Sequence, residues 1–207
     1  TEIEQMNILS MNVVYSNLIK TKFKDFLAVD PLVDAPEKAA QKWEAMRLIM
    51  DLITAIVGPF QPVSQVNLYS LQGTLVGSGI LTLHENVNLS LEPWYREVIA
   101  KDGEKVITPP VPFRHAEKLY DDLRFNSFIS LIRVYHNPVY EAEGIIEIVQ
   151  DCNKLFSFVN EAQKKNPQSR FFILNDKGQI VYPYQYKSTG QGERYYQWIK
   201  AHRLTPL

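Results

Sequence analysis

The sequence predicts an α+β fold, in which helices lead into an antiparallel sheet. Apolar residues follow a helical spacing up to Val57, and from Val63 onward the spacing becomes that of strands. A short β-hairpin also occurs twice, at 68–76 and at 173–181, with a glycine at the same position of both copies. These three observations favour one complete sheet-and-helix module followed by the start of a similar one.

The composition is that of a globular protein with no special electrostatic character. Of the 207 residues, 45% are hydrophobic and 22% are charged, which is enough apolar material to form a core. The 22 basic and 23 acidic residues nearly cancel, whereas a nucleic-acid-binding surface needs an excess of positive charge. We therefore expect no nucleic-acid partner. Cys152 is the only cysteine, so an intrachain disulfide is excluded.

Two helices are predicted before the sheet. Residues 1–27 have the spacing of one long amphipathic helix. A second helix is predicted from Pro36, which suits a first helical turn, to Val57, directly before Gly58-Pro59. An apolar stripe on this second helix is predicted to face the core, and it consists of Trp43, Met46, Met50, Ile53 and Val57.

The strand region begins with the first hairpin, whose turn residue Gly73 is suited to a positive φ. An aromatic pair then opens a short helix at 94–101, and its sequence is echoed at 195–201. The Pro-rich stretch 107–112 is predicted to be a loop. The first module is therefore predicted to consist of a hairpin, a short helix and a loop, followed by a second pair of strands.

That second pair of strands is predicted at 128–135 and 144–150, with a turn on Asn137-Pro138. Helical residues 153–165 then connect to the second copy of the hairpin. Only six residues follow Ala201, whereas about fifty follow the aromatic helix of the first module. We therefore expect the second module to be incomplete.

Two charges inside the apolar strands form the first candidate for a binding site. A turn centred near Tyr140 would place Arg133 opposite Glu147 as cross-strand partners. Two interpretations are open, because such a pair can fix the register of the strands or can line a ligand pocket. The sequence alone does not choose between them.

The aromatic pair Trp94 and Tyr95 is the second candidate, because it would supply a flat apolar wall and one hydroxyl group. Burial in an ordinary core is the alternative for both residues. Arg114 and His115 follow the Pro-rich stretch and could contact a polar ligand, or they could be solvated loop charges. The remaining binding candidates are Tyr69, Phe113 and Val149.

Catalytic and metal-binding patterns are not found in the sequence. The four histidines, at 84, 115, 136 and 202, lack the spacing that metal sites need, and no nucleophile-elbow or phosphate-loop motif occurs. We therefore predict no catalytic residue, no metal and no cofactor. An enzyme of the hydrolytic class would need a convergent carboxylate pair or a Ser-His set.

The order of these features resembles double Cache sensor domains: a long first helix, a hairpin, a Trp-Tyr helix, a strand pair and a second hairpin. The segments Ser130–Arg133 and Gly144–Gln150 are similar to those of the extracytoplasmic sensors of YesM-like histidine kinases. The resemblance covers nearly the whole chain.

This resemblance implies an extracytoplasmic sensor domain of an integral membrane protein, whose parent is a histidine kinase of a two-component system and which is not itself an enzyme. It assigns residues 1–29 to a helix that rises from the membrane and 30–152 to the membrane-distal ligand-binding module. It assigns 153–169 to a connecting helix and linker, and 170–207 to a truncated membrane-proximal module. Two copies of the chain could also associate as a homodimer through the first helix.

The resemblance also bears on the ligand. Family members that bind amino acids have an Arg two residues before the Trp-Tyr pair, a Y-x-D pattern after the Pro-rich loop and an Asp on the last strand. This chain has Glu92 at the first position, Val111 and Phe113 near the second, and Val149 near the third. We therefore expect a neutral polyhydroxy ligand such as a sugar, held by the aromatic pair with Arg133 and Glu147.

Two other functions compete with this prediction. The same kind of domain could belong to a chemoreceptor or to an enzyme of cyclic-dinucleotide signalling. It could also be a structural or dimerising module that binds no ligand. A concave pocket beside Trp94 and Tyr95 would distinguish a binding domain from a structural one.

Overall fold

The structure is a computed structural model that describes residues 2–29, 36–57, 63–114, 126–174 and 180–183, together with Arg194, Gln197, Trp198 and Ala201. The chain divides into two compact units, the first of Thr1–Thr108 with Ser130–Gln150 and the second of Pro109–Ile129 with Asp151–Leu207. Helices are followed by a predominantly antiparallel sheet, so the predicted α+β class is confirmed. The domain boundaries at 29, 152 and 169 stay predictions.

The prediction of one long helix over residues 1–27 is wrong at one position. Helix α1 (Glu2–Tyr15) ends before Ser16, and helix α2 (Asn17–Leu27) begins after it. Ser16 has an extended backbone with ψ of 95°, and its Oγ accepts a hydrogen bond from the Ile19 backbone N–H at 3.3 Å. A serine in this conformation satisfies an otherwise free N–H of the next helix, which is why the helix breaks there.

We expect Ser16→Ala to lower the free energy of unfolding by about 1 kcal/mol, because the cap of α2 is lost. Urea unfolding followed by far-UV circular dichroism measures this change. Ser16→Asp is the matched variant, since its carboxylate can cap the same N–H and should restore most of the loss. Equal destabilisation by both substitutions would contradict the capping role.

Helix α3 (Pro36–Val57) has the predicted bounds, but its buried stripe is rotated. Ala45, Ile49 and Ile53, spaced by four, are the fully buried positions, while Met46, Met50 and Val57 are only partly buried. Trp43 was predicted to face the core and is 62% exposed, so that prediction is wrong. The small side chain of Ala45 lets α3 pack closely in the core. Because alanine is only weakly hydrophobic, this position does not stand out in the apolar pattern of the sequence.

Seven of the described strands form an antiparallel sheet, with the bounds β1 Gln65–Ser70, β2 Thr74–Gly79, β3 Leu83–Asn86, β4 Val106–Ile107, β5 Val111–Pro112, β6 Ser127–His136 and β7 Ala142–Asp151. Their hydrogen-bonded order is β3-β2-β1-β7-β6-β4, and β5 also pairs with β6. The first hairpin is β1-β2, and Gly73 in its turn has φ of +95° as predicted. The stretch 107–112, predicted as a loop, contains the end of β4 and all of β5, so the loop is confined to 108–110.

The two faces of the sheet in the first unit bury different groups. On one face, the helix face, strand residues pack with α1, α2 and α3 in a core that includes Met6, Phe23, Phe26, Ile49, Ile53, Val66, Leu68, Leu131, Ile146 and Ile148. The opposite face, the site face, carries a second cluster that includes Tyr69, Leu75, Val98, Ile132, Val134 and Ile145. Because side chains alternate along a strand, each position of β6 and β7 belongs to one face or the other.

The site face is covered by a short segment that follows β3. A 3₁₀ turn at Leu89–Leu91 leads to helix α4 (Tyr95–Ala100), with Trp94 at its N-cap position. Val98 of this helix is fully buried, and Trp94 and Tyr95 pack against the same cluster. The predicted aromatic helix is therefore confirmed.

In the second unit, the predicted helix 153–165 is interrupted at Phe156. It consists of α5 (Cys152–Leu155) and α6 (Ser157–Lys165). Strands β8 (Ile173–Leu174) and β9 (Ile180–Tyr182) pair antiparallel, so both arms of the second hairpin are present. Its turn at 175–179 and most of the aromatic echo at 195–201 lie outside the described residues. None of the helices in the described ranges is long and apolar enough to cross a membrane.

Candidate functional site

The carboxylate of Glu147 is the centre of a polar group on the site face. Glu147 lies on β7 and is only 8% exposed. Its Oε2 accepts hydrogen bonds from Asn67 Nδ2 at 2.9 Å and from the Tyr69 hydroxyl at 2.5 Å. Its Oε1 accepts one from the Ser130 hydroxyl of β6 at 2.6 Å. Three neutral donors from three different positions of the sheet therefore solvate a buried negative charge.

The polar group continues along β1 away from Glu147. Gln65 Nε2 donates to Asn67 Oδ1 at 3.1 Å and to the Leu81 carbonyl at 2.9 Å, while Gln65 Oε1 accepts from the Leu81 N–H at 3.1 Å. A side chain at Gly77 on β2 would collide with Asn67 and Gln65. The glycine therefore leaves the space in which this ladder of amides lies.

Aromatic rings adjoin the polar group on one side. The rings of Tyr69 and Trp94 meet edge to face with centroids 5.6 Å apart, and Trp94 meets Tyr95 at 6.4 Å. Both Trp94 and Tyr95 are partly exposed. The site therefore combines a buried carboxylate with an apolar wall, a combination typical of pockets for small polar ligands.

The carboxylate has no positive partner among the described residues, since none of their cationic groups lies within 4 Å of it. A carboxylate offers about four acceptor positions, two on each oxygen. Within the described ranges, Oε2 accepts two hydrogen bonds and Oε1 accepts one, from the Ser130 hydroxyl. A ligand that donates a hydrogen bond would fit the remaining position.

The predicted pairing of Arg133 with Glu147 is wrong. Arg133 points to the helix face, where its guanidinium donates to Asn7 Oδ1 and contacts Met11 Sδ on α1. The register assumed from a turn centred at Tyr140 is off by an odd number of residues, and such a shift moves a side chain to the opposite face. The prediction that Arg133 itself binds ligand is not tested.

The other predicted site residues are placed as follows. Val149 is buried on β7 opposite Gln65 of β1. In the second unit, Phe113 is buried with its ring 5.2 Å from that of Phe128, and Arg114 is exposed. His115 lies outside the described residues. The structure thus brings together Tyr69, Trp94, Tyr95 and Glu147.

Three residues of the polar group were missed: Gln65, Asn67 and Ser130. A signal for two of them was present, because Gln65, Asn67 and Tyr69 alternate with apolar residues along β1 and so share one face. Ser130 gave no comparable signal. Its side chain is short, and its contact with Glu147 depends on how β6 and β7 are aligned, which the sequence does not specify.

No group of three histidine, cysteine, aspartate or glutamate side chains in the described ranges converges to hold a metal ion. Glu147 lines neither of two cavities of the first unit, whereas Gln65 of the polar group lines the smaller one. One of about 140 Å³ lies between α3 and the β1-β2 hairpin, and one of about 470 Å³ lies between α2 and α3. The pocket expected beside Trp94 and Tyr95 stays a prediction.

Comparison with known proteins gives matches among solved structures. No family profile and no curated protein matches the chain. A domain of a Vibrio parahaemolyticus protein assigned to the sensory box/GGDEF family is similar at 13% identity and a TM-score of 0.51, over 88% of this chain and 67% of that one.

Two further matches come from receptors. The ligand-binding domain of an amino acid chemoreceptor of Pseudomonas aeruginosa, in complex with GABA, is 14% identical with a TM-score of 0.46, over 84% of this chain and 68% of that one. The extracellular domain of a protein assigned as a histidine kinase is 14% identical with a TM-score of 0.49, over 88% and 64%. The match to the Vibrio parahaemolyticus domain, at 13% identity, shows a shared α+β fold.

Proposed function

We propose that this chain is the extracytoplasmic sensor domain of a membrane-anchored histidine kinase and that it binds a small polar molecule at Glu147. The observation that supports this proposal is the buried Glu147 carboxylate. Its hydrogen-bond partners among the described residues are all neutral, and it lies beside the partly exposed aromatic pair. Burial of a charge without a counter-charge is costly, and structural needs alone are met more cheaply by a neutral side chain. A ligand that donates to the carboxylate would offset this cost.

The proposed ligand is a hydrogen-bond donor of modest size. A sugar would donate through its hydroxyl groups and stack an apolar face on Trp94. An amine would donate through N–H groups and would also supply a positive charge. Arg133 does not support the choice of a sugar, because its guanidinium lies on the helix face. Carboxylate recognition on the ligand side would need a cation, and the described part of the site face offers none within 4 Å of Glu147.

Titration calorimetry tests this proposal. The chain is titrated with monosaccharides, oligosaccharides, free amino acids and simple amines, and we expect saturable binding of one class. Glu147→Gln should weaken that binding about tenfold or more, because a hydrogen bond to a charged acceptor is worth about 1.5–3 kcal/mol. Glu143→Gln on the same strand is the matched control and should leave the affinity unchanged. Binding that is insensitive to Glu147→Gln would contradict the site.

The proposed output rests on the strand segments around Arg133 and Glu147 that are similar to kinase sensors. Binding of the identified ligand to the full-length parent should change its rate of autophosphorylation. A parent with no phosphoacceptor histidine would contradict the kinase assignment and leave the binding site unaffected.

A further inference from the structure

The larger cavity of the first unit is an open groove along the seam between α2 and α3. It has a volume of about 470 Å³, and we call it the α2-α3 groove. Its apolar lining is Ala40, Ala45 and Leu48 of α3. Ala45 is buried, but Leu48 is partly exposed and Ala40 is exposed. The groove therefore offers accessible apolar surface to a partner.

The two helices run antiparallel along the groove. Near the end of α2, the Lys42 ammonium of α3 lies 4.8 Å from the centre of the Phe26 ring. One turn earlier in α2, Lys22 lines the groove together with Glu44 of α3. Residue numbers therefore fall along α2 while they rise along α3, so each level of the groove has one residue from each helix.

Leu18 extends the apolar surface of the groove by one turn. It lies four residues before Lys22, which places both side chains on the same face of α2. The antiparallel order puts it at the level of Leu48. Its side chain is 54% exposed. Two leucines, one from each helix, therefore leave apolar area that a partner could cover.

Charges of both signs border the groove. On α2, Lys22 Nζ lies 3.0 Å from Asp25 Oδ2, and on α3, Arg47 lies 2.7 Å from Glu44. The pKa of Glu44 is lowered first by its hydrogen bond with Arg47, and the positive charge of Lys22 across the groove also contributes. Such exposed pairs are weak, so their members remain available to a partner.

We propose that the α2-α3 groove is an interface between two copies of this chain, related by a two-fold axis parallel to the helices. Such an axis places α2 of each copy over α3 of the other at the same level. Lys22 then lies against Glu44 of the second copy, and Leu18 lies against its Leu48. Each contact occurs twice because the interface is isologous.

The charge pattern favours a second copy over other partners. A strongly acidic or strongly basic partner would meet a like charge on one side of the groove, whereas a second copy supplies the opposite charge at Lys22 and at Glu44. The net charge of the chain is only −1, so two copies do not repel each other strongly. The interface adds α3 to the first-helix homodimer expected from the sequence, and it does not depend on a ligand at Glu147.

Sedimentation velocity of the whole chain tests this proposal. We expect a monomer–dimer equilibrium with a Kd in about the micromolar range, typical of a small interface. Leu18→Asp should weaken association about tenfold or more, because a charge would be placed in the apolar centre of the interface. Since Leu18 is exposed and an acidic residue suits the first turn of α2, this variant should keep its fold, which circular dichroism checks.

Two matched variants replace exposed apolar residues elsewhere in the first unit. Ile8→Asp on α1 and Val139→Asp in the turn between β6 and β7 alter side chains that are 52% and 71% exposed, and both should leave the Kd unchanged. A chain that stays monomeric up to about 1 mM would overturn the proposal. Loss of association in Ile8→Asp together with full association in Leu18→Asp would place the interface on α1 and would also overturn it.

A charge exchange tests the contact between Lys22 and Glu44. Lys22→Glu and Glu44→Lys should each weaken self-association about tenfold, because like charges then meet twice across the interface. An equimolar mixture of the two variants should associate again, since every contact between the two kinds of chain pairs opposite charges. An effect confined to one chain would not recover on mixing. Absence of recovery would therefore overturn the proposed arrangement of α2 over α3.

Discussion

Glu147→Ala is expected to lower the free energy of unfolding of the first unit by about 3–5 kcal/mol. The substitution removes the common acceptor of Asn67, Tyr69 and Ser130, and all three side chains are buried. Each buried donor left without a partner costs about 1–3 kcal/mol. Relief of the buried charge offsets part of this sum, so the net loss is smaller than three full penalties.

Urea unfolding of the chain, followed by tryptophan fluorescence, measures this loss. Glu147→Gln keeps the shape and one acceptor oxygen, and it should cost about half as much. Glu143→Ala, on the same strand but partly exposed, should change the free energy by less than about 0.5 kcal/mol. A loss below about 1 kcal/mol for Glu147→Ala would show that the carboxylate is not the hub of the polar group.

Local order along the chain was predictable because each element carries its own periodicity. The bounds of α3, the hairpin with Gly73 and the strands around Arg133 and Glu147 follow from apolar spacing and turn residues. Ser16 was missed because its neighbours on both sides continue a helical pattern. The Ser16 side chain ends the helix through one hydrogen bond, and the spacing of apolar residues carries no information about a single hydrogen bond.

The candidate site was predictable only in part. Tyr69, Trp94, Tyr95 and Glu147 lie together in the structure, but Gln65, Asn67 and Ser130 of the same polar group were missed. Partners across strands depend on the register, and the register depends on where the turn is centred. An odd shift leaves every strand in place and yet moves Arg133 to the other face.

The new position of Arg133 changes what its charge does. The side chain is only 7% exposed, and its described partners are the amide oxygen of Asn7 and the weakly accepting sulfur of Met11. Its Nε atom is buried with no hydrogen-bond partner. Removal from water lowers the pKa of the guanidinium from its ordinary value. The interface between α1 and β6 therefore contains a cation that is poorly compensated.

Arg133→Met is for this reason expected to raise the free energy of unfolding, by about 1–3 kcal/mol, in contrast to most core substitutions. Methionine has a similar length, fills the same space between β6 and α1, and needs no hydrogen bonds. Urea unfolding measures the change, and amide hydrogen exchange over Glu2–Tyr15 should slow because α1 is held more firmly.

Arg133→Lys keeps the positive charge but loses the hydrogen bonds of the guanidinium group, so it should lower the free energy of unfolding. Arg96→Met, on the exposed side of α4, is the control for the general effect of adding a methionine. If Arg133→Met instead destabilises the chain or speeds exchange in α1, the contact with Asn7 outweighs the cost of burying the charge, and Arg133 stabilises the docking of α1.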